Sequence, residues 1–485
     1  MDSEQRALRP VLGERRLKTR HAVITSLAVV TPTGTIFFLT IPAAAAAGKA
    51  MPLAFLLAFG LTVIIANAIY RFTQRIAHAG SFFAFAKAAL GPRTSFMTGW
   101  LVLAFYPIIQ IFSLLIFGAF VSQILAQHAG LNIQWWWITL VGLLLIWIIA
   151  FLGIKLSIRT DLAFLAFEAV VLIALAVTII LKGGAHGAWH PGLFTPQGIK
   201  VSGIALGVVF GVLGFTGFEA AAYLGEEAHN PRQIIPRAII ITTLLTGLVY
   251  VVFAYVATVG WGAGEMAKYG QNAAPWDVLA GRYWNSGSTI VVDIAAAIAV
   301  LAGGLASQNG GARMVFALAR DGMLPKALSR VSRFGTPGRA LAILLVLAVA
   351  VSLGLGIPYG PLTAFSLLTL LVTFTALAVY FLVQVACIAY FWRRKQFHVV
   401  WHGVLPVVAM ALIVWLFVES EIPAPPYPQN LAFWIALGWA VLGLLIVAGM
   451  SVWVPLRFEQ LAQILGEEEP GALLPELEVG SEPQT

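Results

Sequence analysis

Two stretches of this sequence set helix-breaking residues inside long apolar runs. Thr31-Pro32-Thr33-Gly34-Thr35 interrupts the run from His21 to Gly48, and Gly211 with Gly214-Phe215-Thr216-Gly217 interrupts the run from 203 to 225. Proline removes an amide donor and glycine relaxes the backbone, so both segments can unwind where the freed groups line a polar cavity. An unwound first segment leaves the amides around Thr33 to Ile36 at the start of a half-helix, whose positive dipole end favours a carboxylate. In the second, the carbonyls from Leu213 to Thr216 end a half-helix and can accept from an ammonium group. Opposite poles would hold the two ends of one small molecule, with Thr31, Thr33, Gly34, Thr35, Ile36, Leu213, Phe215, Thr216 and Gly217 as the candidate contacts. One glycine or proline in such a run more often marks a kink or close packing; two breaks at matched positions favour a binding site over that structural alternative.

Ionisable groups inside apolar runs are the other candidates, because a charge at a bilayer centre costs roughly 2.5 to 3.5 kcal/mol on insertion scales. Glu168 lies about eight residues into its run, roughly 12 Å along a helix axis. It could take up and release a proton, or bind a cation together with Ser307; a permanently neutral, hydrogen-bonded carboxyl is the structural alternative. Glu219 follows the second break and is read first as a cap on the next half-helix, and only second as a proton carrier. Asp293, near a run end, is expected to snorkel to water. Glu226, Glu227, Arg232, Arg237, Arg320 and Asp321 form a charge cluster that could close a gate or could be an ordinary solvated face. All eight histidines fall in loops or near run ends, which leaves no imidazole base at mid-run. The phosphate loop of an ATPase and the H-E-x-x-H pattern of a zinc protease are both absent. No catalytic residue, metal site or cofactor is expected, and any work would be driven by a proton or sodium gradient.

The elements that must position these residues are membrane spans. Hydrophobic residues make up 60% of the 485 and charged residues only 10%, a balance foreign to water-soluble globular chains. Apolar stretches near 22–47, 52–71, 94–125, 135–153, 160–182, 203–225, 237–260, 288–308, 339–357, 361–391, 401–419 and 431–454 predict twelve transmembrane helices. The intervening segments on one side carry 24 of the 29 lysines and arginines, which places both termini in the cytoplasm and the chain in the cytoplasmic membrane as a multi-pass protein. The net charge of +8 therefore reports topology rather than affinity for nucleic acid, and the lipid bilayer is the expected partner surface. Cys387 is the only cysteine and lies inside an apolar run, which excludes a disulfide framework. The basic residues before span 1 imitate a secretory signal, but the run from His21 to Gly48 is long for one and is broken by the Pro32 segment. Residues 1–21 read as a cytoplasmic segment, 22–391 as a ten-span core, 392–454 as two additional spans, and 455–485 as an acidic cytoplasmic tail. Loop 261–287 is long enough for short helices over the outer mouth. Spans 1 and 6 occupy matching positions in two five-span halves, 22–182 and 203–391, as expected of inverted repeats with a binding site at midplane.

The stretch from Gly217 to Ala238, Gly-Phe-Glu-Ala-Ala-Ala-Tyr-Leu-Gly-Glu-Glu-Ala-His-Asn-Pro-Arg-Gln-Ile-Ile-Pro-Arg-Ala, resembles the span 6 signature of the amino acid, polyamine and organocation transporter superfamily. Arg313 to Pro325, Arg-Met-Val-Phe-Ala-Leu-Ala-Arg-Asp-Gly-Met-Leu-Pro, resembles its second signature. The likeness covers spans 1 to 10 in order. It implies an all-α membrane protein of the leucine-transporter type, with a 5+5 inverted repeat, broken helices 1 and 6, alternating access and coupling to a proton or sodium gradient. At span 1 the chain has Pro32-Thr33-Gly34 where the family commonly has Gly-Ser-Gly. Glu168 falls where several proton-coupled relatives carry a lysine, so the sign there is reversed. The expected cargo is a small or neutral amino acid, because Ile36, Leu213, Phe215 and Phe218 beside the breaks supply little charge. A polyamine or cationic amino acid is the alternative, with Glu168 and Glu219 as acidic groups. A non-transporting membrane sensor is the reading from another class.

Overall fold

The computed structural model describes residues 18–76, 81–153, 158–187, 190–196, 198–224, 228–285, 287–320 and 324–453. Among them the ordered elements are helices, and none is a β-strand. Ten helical runs are long and apolar enough to cross a bilayer; the first, Thr19–Thr73, has 55 residues, far more than the ~20 one crossing needs. Trp135–Phe151 is a further apolar helix of 17 residues.

In chain order these are α1 (Thr19–Val30), α2 (Thr40–Ala47), α3 (Met51–Thr73), α4 (Ser81–Leu90), α5 (Pro92–Leu103), α6 (Phe105–Ala129), α7 (Trp135–Phe151) and α8 (Ile158–Leu181). There follow α9 (Val201–Phe215), α10 (Pro231–Trp261), α11 (Pro275–Tyr283), α12 (Thr289–Arg320), α13 (Gly338–Tyr359), α14 (Pro361–Arg393), α15 (Leu405–Glu421) and α16 (Leu431–Trp453). Val141, Val170, Leu248 and Val346, on four different helices, are 60 to 68% exposed. Apolar surface of that extent needs hydrocarbon as its solvent, and the chain is a multi-pass membrane protein.

The interior is close-packed by small residues. On α9, Gly203, Gly207 and Gly211 recur every fourth position and face α2 and α3. A Cβ on Gly203 would stand 2.7 Å from the Ala46 carbonyl, and one on Gly207 or Gly211 would stand 2.8 Å from the Ala47 or Ala58 methyl. The stripe therefore lets α9 lie against α2 and α3 at backbone distance, which apolar helices in lipid need because no hydrophobic force drives them together. Helix α6 is enclosed by α7, α12 and α14, while α10 runs along α3.

The predicted spans recur as helices with shifted ends. The run expected to end at 308 continues as helix to Arg320, because Gly310 and Gly311 pack against Tyr106 and hold the chain helical past the apolar stretch. Between α10 and α12 the expected short helices are present as Ala263–Glu265, Met266–Tyr269 and α11. Asp293 does not snorkel: it is 5% exposed, with neither carboxylate oxygen hydrogen-bonded. His402, expected near the end of a run, is buried in a π-helical turn at the start of α15, stacked 3.8 Å from the Phe391 ring. The acidic tail, Glu226, Glu227 and Asp321 lie outside the described residues.

Candidate functional site

Both expected interruptions are present. Helix α1 stops at Val30, and Thr31 adopts φ 45° and ψ 66°, the left-handed region that a β-branched residue avoids. Such a conformation costs of order 1 to 3 kcal/mol and persists only where surrounding structure enforces it. Pro32 supplies the fixed φ that restarts the helix over Pro32–Gly34, and a π-helical turn, Thr35–Leu39, leads into α2. The Thr35 amide donates to the Thr31 carbonyl at 3.2 Å, and Pro32 has no amide, so helix geometry leaves the N–H groups of Thr33 and Gly34 for a ligand. The set of amides without a backbone acceptor is thus narrower than the predicted stretch to Ile36. In the other break, α9 ends at Phe215, Gly217 takes φ 109°, and a 3-10 helix runs over Phe218–Leu224.

Side chains bring the two breaks together. The Tyr250 hydroxyl of α10 donates to the Gly214 carbonyl at 2.6 Å and lies 3.1 Å from Thr35 Oγ1. Ser26 Oγ of α1 accepts from the Ala221 amide at 2.9 Å. Of the carbonyls expected to meet a ligand cation, Gly214 is taken by Tyr250 and Leu213 accepts the Thr216 amide at 3.0 Å. Those of Phe215 and Thr216 are left for a ligand. Tyr250→Phe removes the clamp and leaves a buried carbonyl without its donor, so it should destabilise the protein by about 1 kcal/mol. A thermal midpoint unchanged from the native chain would show that the tyrosine hydroxyl holds nothing.

A cavity of about 100 Å³ lies between the breaks. Thr31, Gly34, Thr35, Leu213, Thr216 and Gly217 line it, as do Glu219 and Ser307. Three candidates face elsewhere. The Thr33 hydroxyl donates to the Glu168 carboxylate, the Ile36 carbonyl accepts from the Trp276 indole at 2.8 Å, and the Phe215 ring packs edge-on against Tyr250 with centroids 5.0 Å apart. Reading the sequence alone misses the opposite wall. Phe105, Tyr106, Ile109, Phe112 and Ser113 of α6, with Ala299 and Gly303 of α12, complete the enclosure. Both helices are predominantly apolar along the stretches that contribute these residues, so no local signal separates the lining face from the rest.

A second cavity, of about 690 Å³, adjoins the first at Thr31 and Ala299 and reaches the segment Phe334–Pro337. Glu168 lines it, 4% exposed, while its neighbour Val170 on α8 faces outward at 66%. Ser307 and Glu168 therefore belong to different cavities, and Ser307 shares its wall with Glu219 instead. Glu219 Oε2 accepts the Gly217 amide at 3.1 Å, the capping contact expected of it. Among the described residues no lysine or arginine pairs with either carboxylate. Arg313 stands further along the larger cavity, the one cation in its wall among the described residues.

The family model described as amino acid permease matches residues 21–422. The low-affinity putrescine importer PlaP of Escherichia coli (strain K12) is 26% identical over 350 residues, 70% of this chain and 73% of its own. The branched-chain amino acid permease BcaP of Lactococcus lactis subsp. cremoris (strain MG1363) is 26% identical over 436 residues, 82% of this chain and 87% of its own. The methylthioribose transporter of Bacillus subtilis (strain 168) is 24% identical over 464 residues, 88% and 92% respectively.

Proposed function

The chain belongs to the amino acid permease family, a family of transporters and not of enzymes, and from that membership we propose that it carries a small neutral amino acid by proton-coupled alternating access. The observation that carries this reading is the meeting of two helix breaks around one small cavity. Free amides at Thr33 and Gly34 form one pole, and free carbonyls at Phe215 and Thr216 form the other. Pockets for drug-sized ligands run to roughly 300 to 1,000 Å³, so about 100 Å³ suits one small solute. Among the described residues Glu219 is the one charged side chain in the wall, and its aromatic and aliphatic residues favour an apolar side group. BcaP, a relative over most of the chain, is a branched-chain amino acid permease, in keeping with that chemistry.

Twelve crossings follow if the 55-residue run turns back at Gly48–Ala50, where Gly48 takes φ 51°, and if Trp135–Phe151 also spans. The first ten then divide into two halves of five, each opening on a broken helix, in the leucine-transporter arrangement. The larger cavity ends among Gly153 and Phe334–Pro337, at the lysine- and arginine-rich end of the bundle. With that end cytoplasmic, as are both termini in the cytoplasmic membrane, the conformation is inward-open.

A second reading, an amine as cargo, is favoured by Glu219 in the small cavity and by the putrescine importer among the relatives. Counterflow in proteoliposomes separates these. Liposomes preloaded with leucine or valine should accelerate uptake of the labelled amino acid, and putrescine should not compete. Acceleration by putrescine alone would transfer the assignment to amines. Binding without any exchange would make the protein a sensor.

A further inference from the structure

At the end of the bundle opposite the larger cavity, three residues far apart in sequence converge. His128 Nε2 on the last turn of α6 lies 3.0 Å from Asp277 Oδ1 in the first turn of α11. Asp293, one turn into α12, brings a third ligand atom within 4.8 Å of both. Asp277 is 6% and Asp293 5% exposed, whereas His128 is 37% exposed and gives access from solvent. Both Asp293 oxygens lack a hydrogen-bond partner, although a buried polar side-chain atom ordinarily finds at least one. A cavity of about 10 Å³ lies against Asp277 and Asp293, walled by Phe38, Phe120 and Trp276. That space holds about one probe sphere, enough for a single ion or water.

We propose that His128, Asp277 and Asp293 form a binding site for a divalent transition-metal ion of the zinc type. Two carboxylates against one imidazole leave uncompensated negative charge in an aromatic wall, and a divalent cation supplies the missing charge. One nitrogen and two oxygen donors suit a borderline ion; calcium would need six to eight oxygens, and magnesium keeps a near-octahedral oxygen shell. Bonds of about 2.0 to 2.2 Å to a tetrahedral zinc place its donors about 3.3 Å apart. His128 and Asp277, at 3.0 Å, stand close to that spacing, and rotation of the Asp293 carboxylate, which no hydrogen bond holds, brings in the third donor. Water takes the fourth position through the exposed edge of His128. Such an ion would tie the loop helix α11 to α6 and α12. Because Trp276 of α11 donates to Ile36 at 2.8 Å, the tie extends to the π turn beside the first break.

The site is tested on the purified full chain by titrating Co²⁺ and recording its visible d–d absorption, with Zn²⁺ competition and thermal shift in parallel. The native chain should develop the band of a four- or five-coordinate ion, lose it to Zn²⁺, and gain thermal stability from Zn²⁺. Asp293→Asn should weaken Co²⁺ binding by roughly 100-fold or more, since removing even a supporting outer residue costs 10- to 100-fold. His128→Gln, at a partly exposed position where folding is tolerant, should do the same. Glu265→Gln, on an exposed carboxylate of the same connection, should change nothing. No band in the native chain, or equal affinity in all four proteins, would overturn the assignment. Since binding is read without transport, a failed cargo assignment leaves this result untouched.

Discussion

Glu168→Gln is expected to reduce substrate accumulation driven by a pH gradient to the equilibrated level, while exchange of labelled for unlabelled substrate remains measurable. The side chain is the one buried carboxylate that touches both the open cavity and the first break. Phe167 and Val170 on α8 face outward, yet Glu168 turns inward, lines the larger cavity, and accepts a hydrogen bond from the Thr33 hydroxyl. Protonation turns that carboxyl from a pure acceptor into a donor as well and weakens its hold on the Thr33 hydroxyl, and Thr33 stands two residues after the strained Thr31 and next to the amide of Gly34. A proton entering from the cavity thereby changes the hydrogen bonding of the pole proposed to hold the substrate carboxylate. Glutamine keeps the shape and can still accept from Thr33, but it carries no exchangeable charge, so binding survives and coupling does not. Uptake into proteoliposomes under an imposed pH gradient, beside counterflow without one, measures the two properties separately. Should the variant still concentrate substrate under a proton gradient alone, the coupling group lies elsewhere.

The second large effect is expected at Gly217. Its φ of 109° lies where side chains other than glycine are strained. An added Cβ would also stand 2.8 Å from the Val29 side chain and 3.3 Å from the backbone of Val29 and Val30, the last turn of α1. Backbone cannot step aside as a flexible side chain can, so Gly217→Ala must push the two breaks apart or abandon the left-handed turn. Either costs on the order of 1 to 2 kcal/mol at this position alone, which corresponds to roughly five- to thirty-fold in transport rate. Gly60→Ala provides the comparison, because nothing lies within 4 Å of a Cβ there and its φ is ordinary. Initial uptake rates, normalised to protein that elutes as a single species, should fall roughly five-fold or more for Gly217→Ala and stay unchanged for Gly60→Ala. Equal rates would mean that close contact between the breaks is dispensable.

The sequence alone located the spans and both breaks, because each signal is local. A run of apolar side chains reports hydrocarbon at that position whatever its neighbours, and the Pro32 ring and the missing Cβ of Gly217 constrain the chain where they stand. Helix ends were less legible, since hydropathy marks the bilayer edge while hydrogen bonding carries α12 on to Arg320. What the tertiary structure alone decided is which way each candidate faces. Thr33, Ile36 and Phe215 sit in the predicted segments yet turn from the small cavity, and Ser307 joins Glu219 rather than Glu168. The clamp from Tyr250 and the His128–Asp277–Asp293 cluster join residues separated by up to 215 positions. No periodicity within one helix encodes such a meeting, because the rotation of a helix about its own axis is set by the helices packed against it.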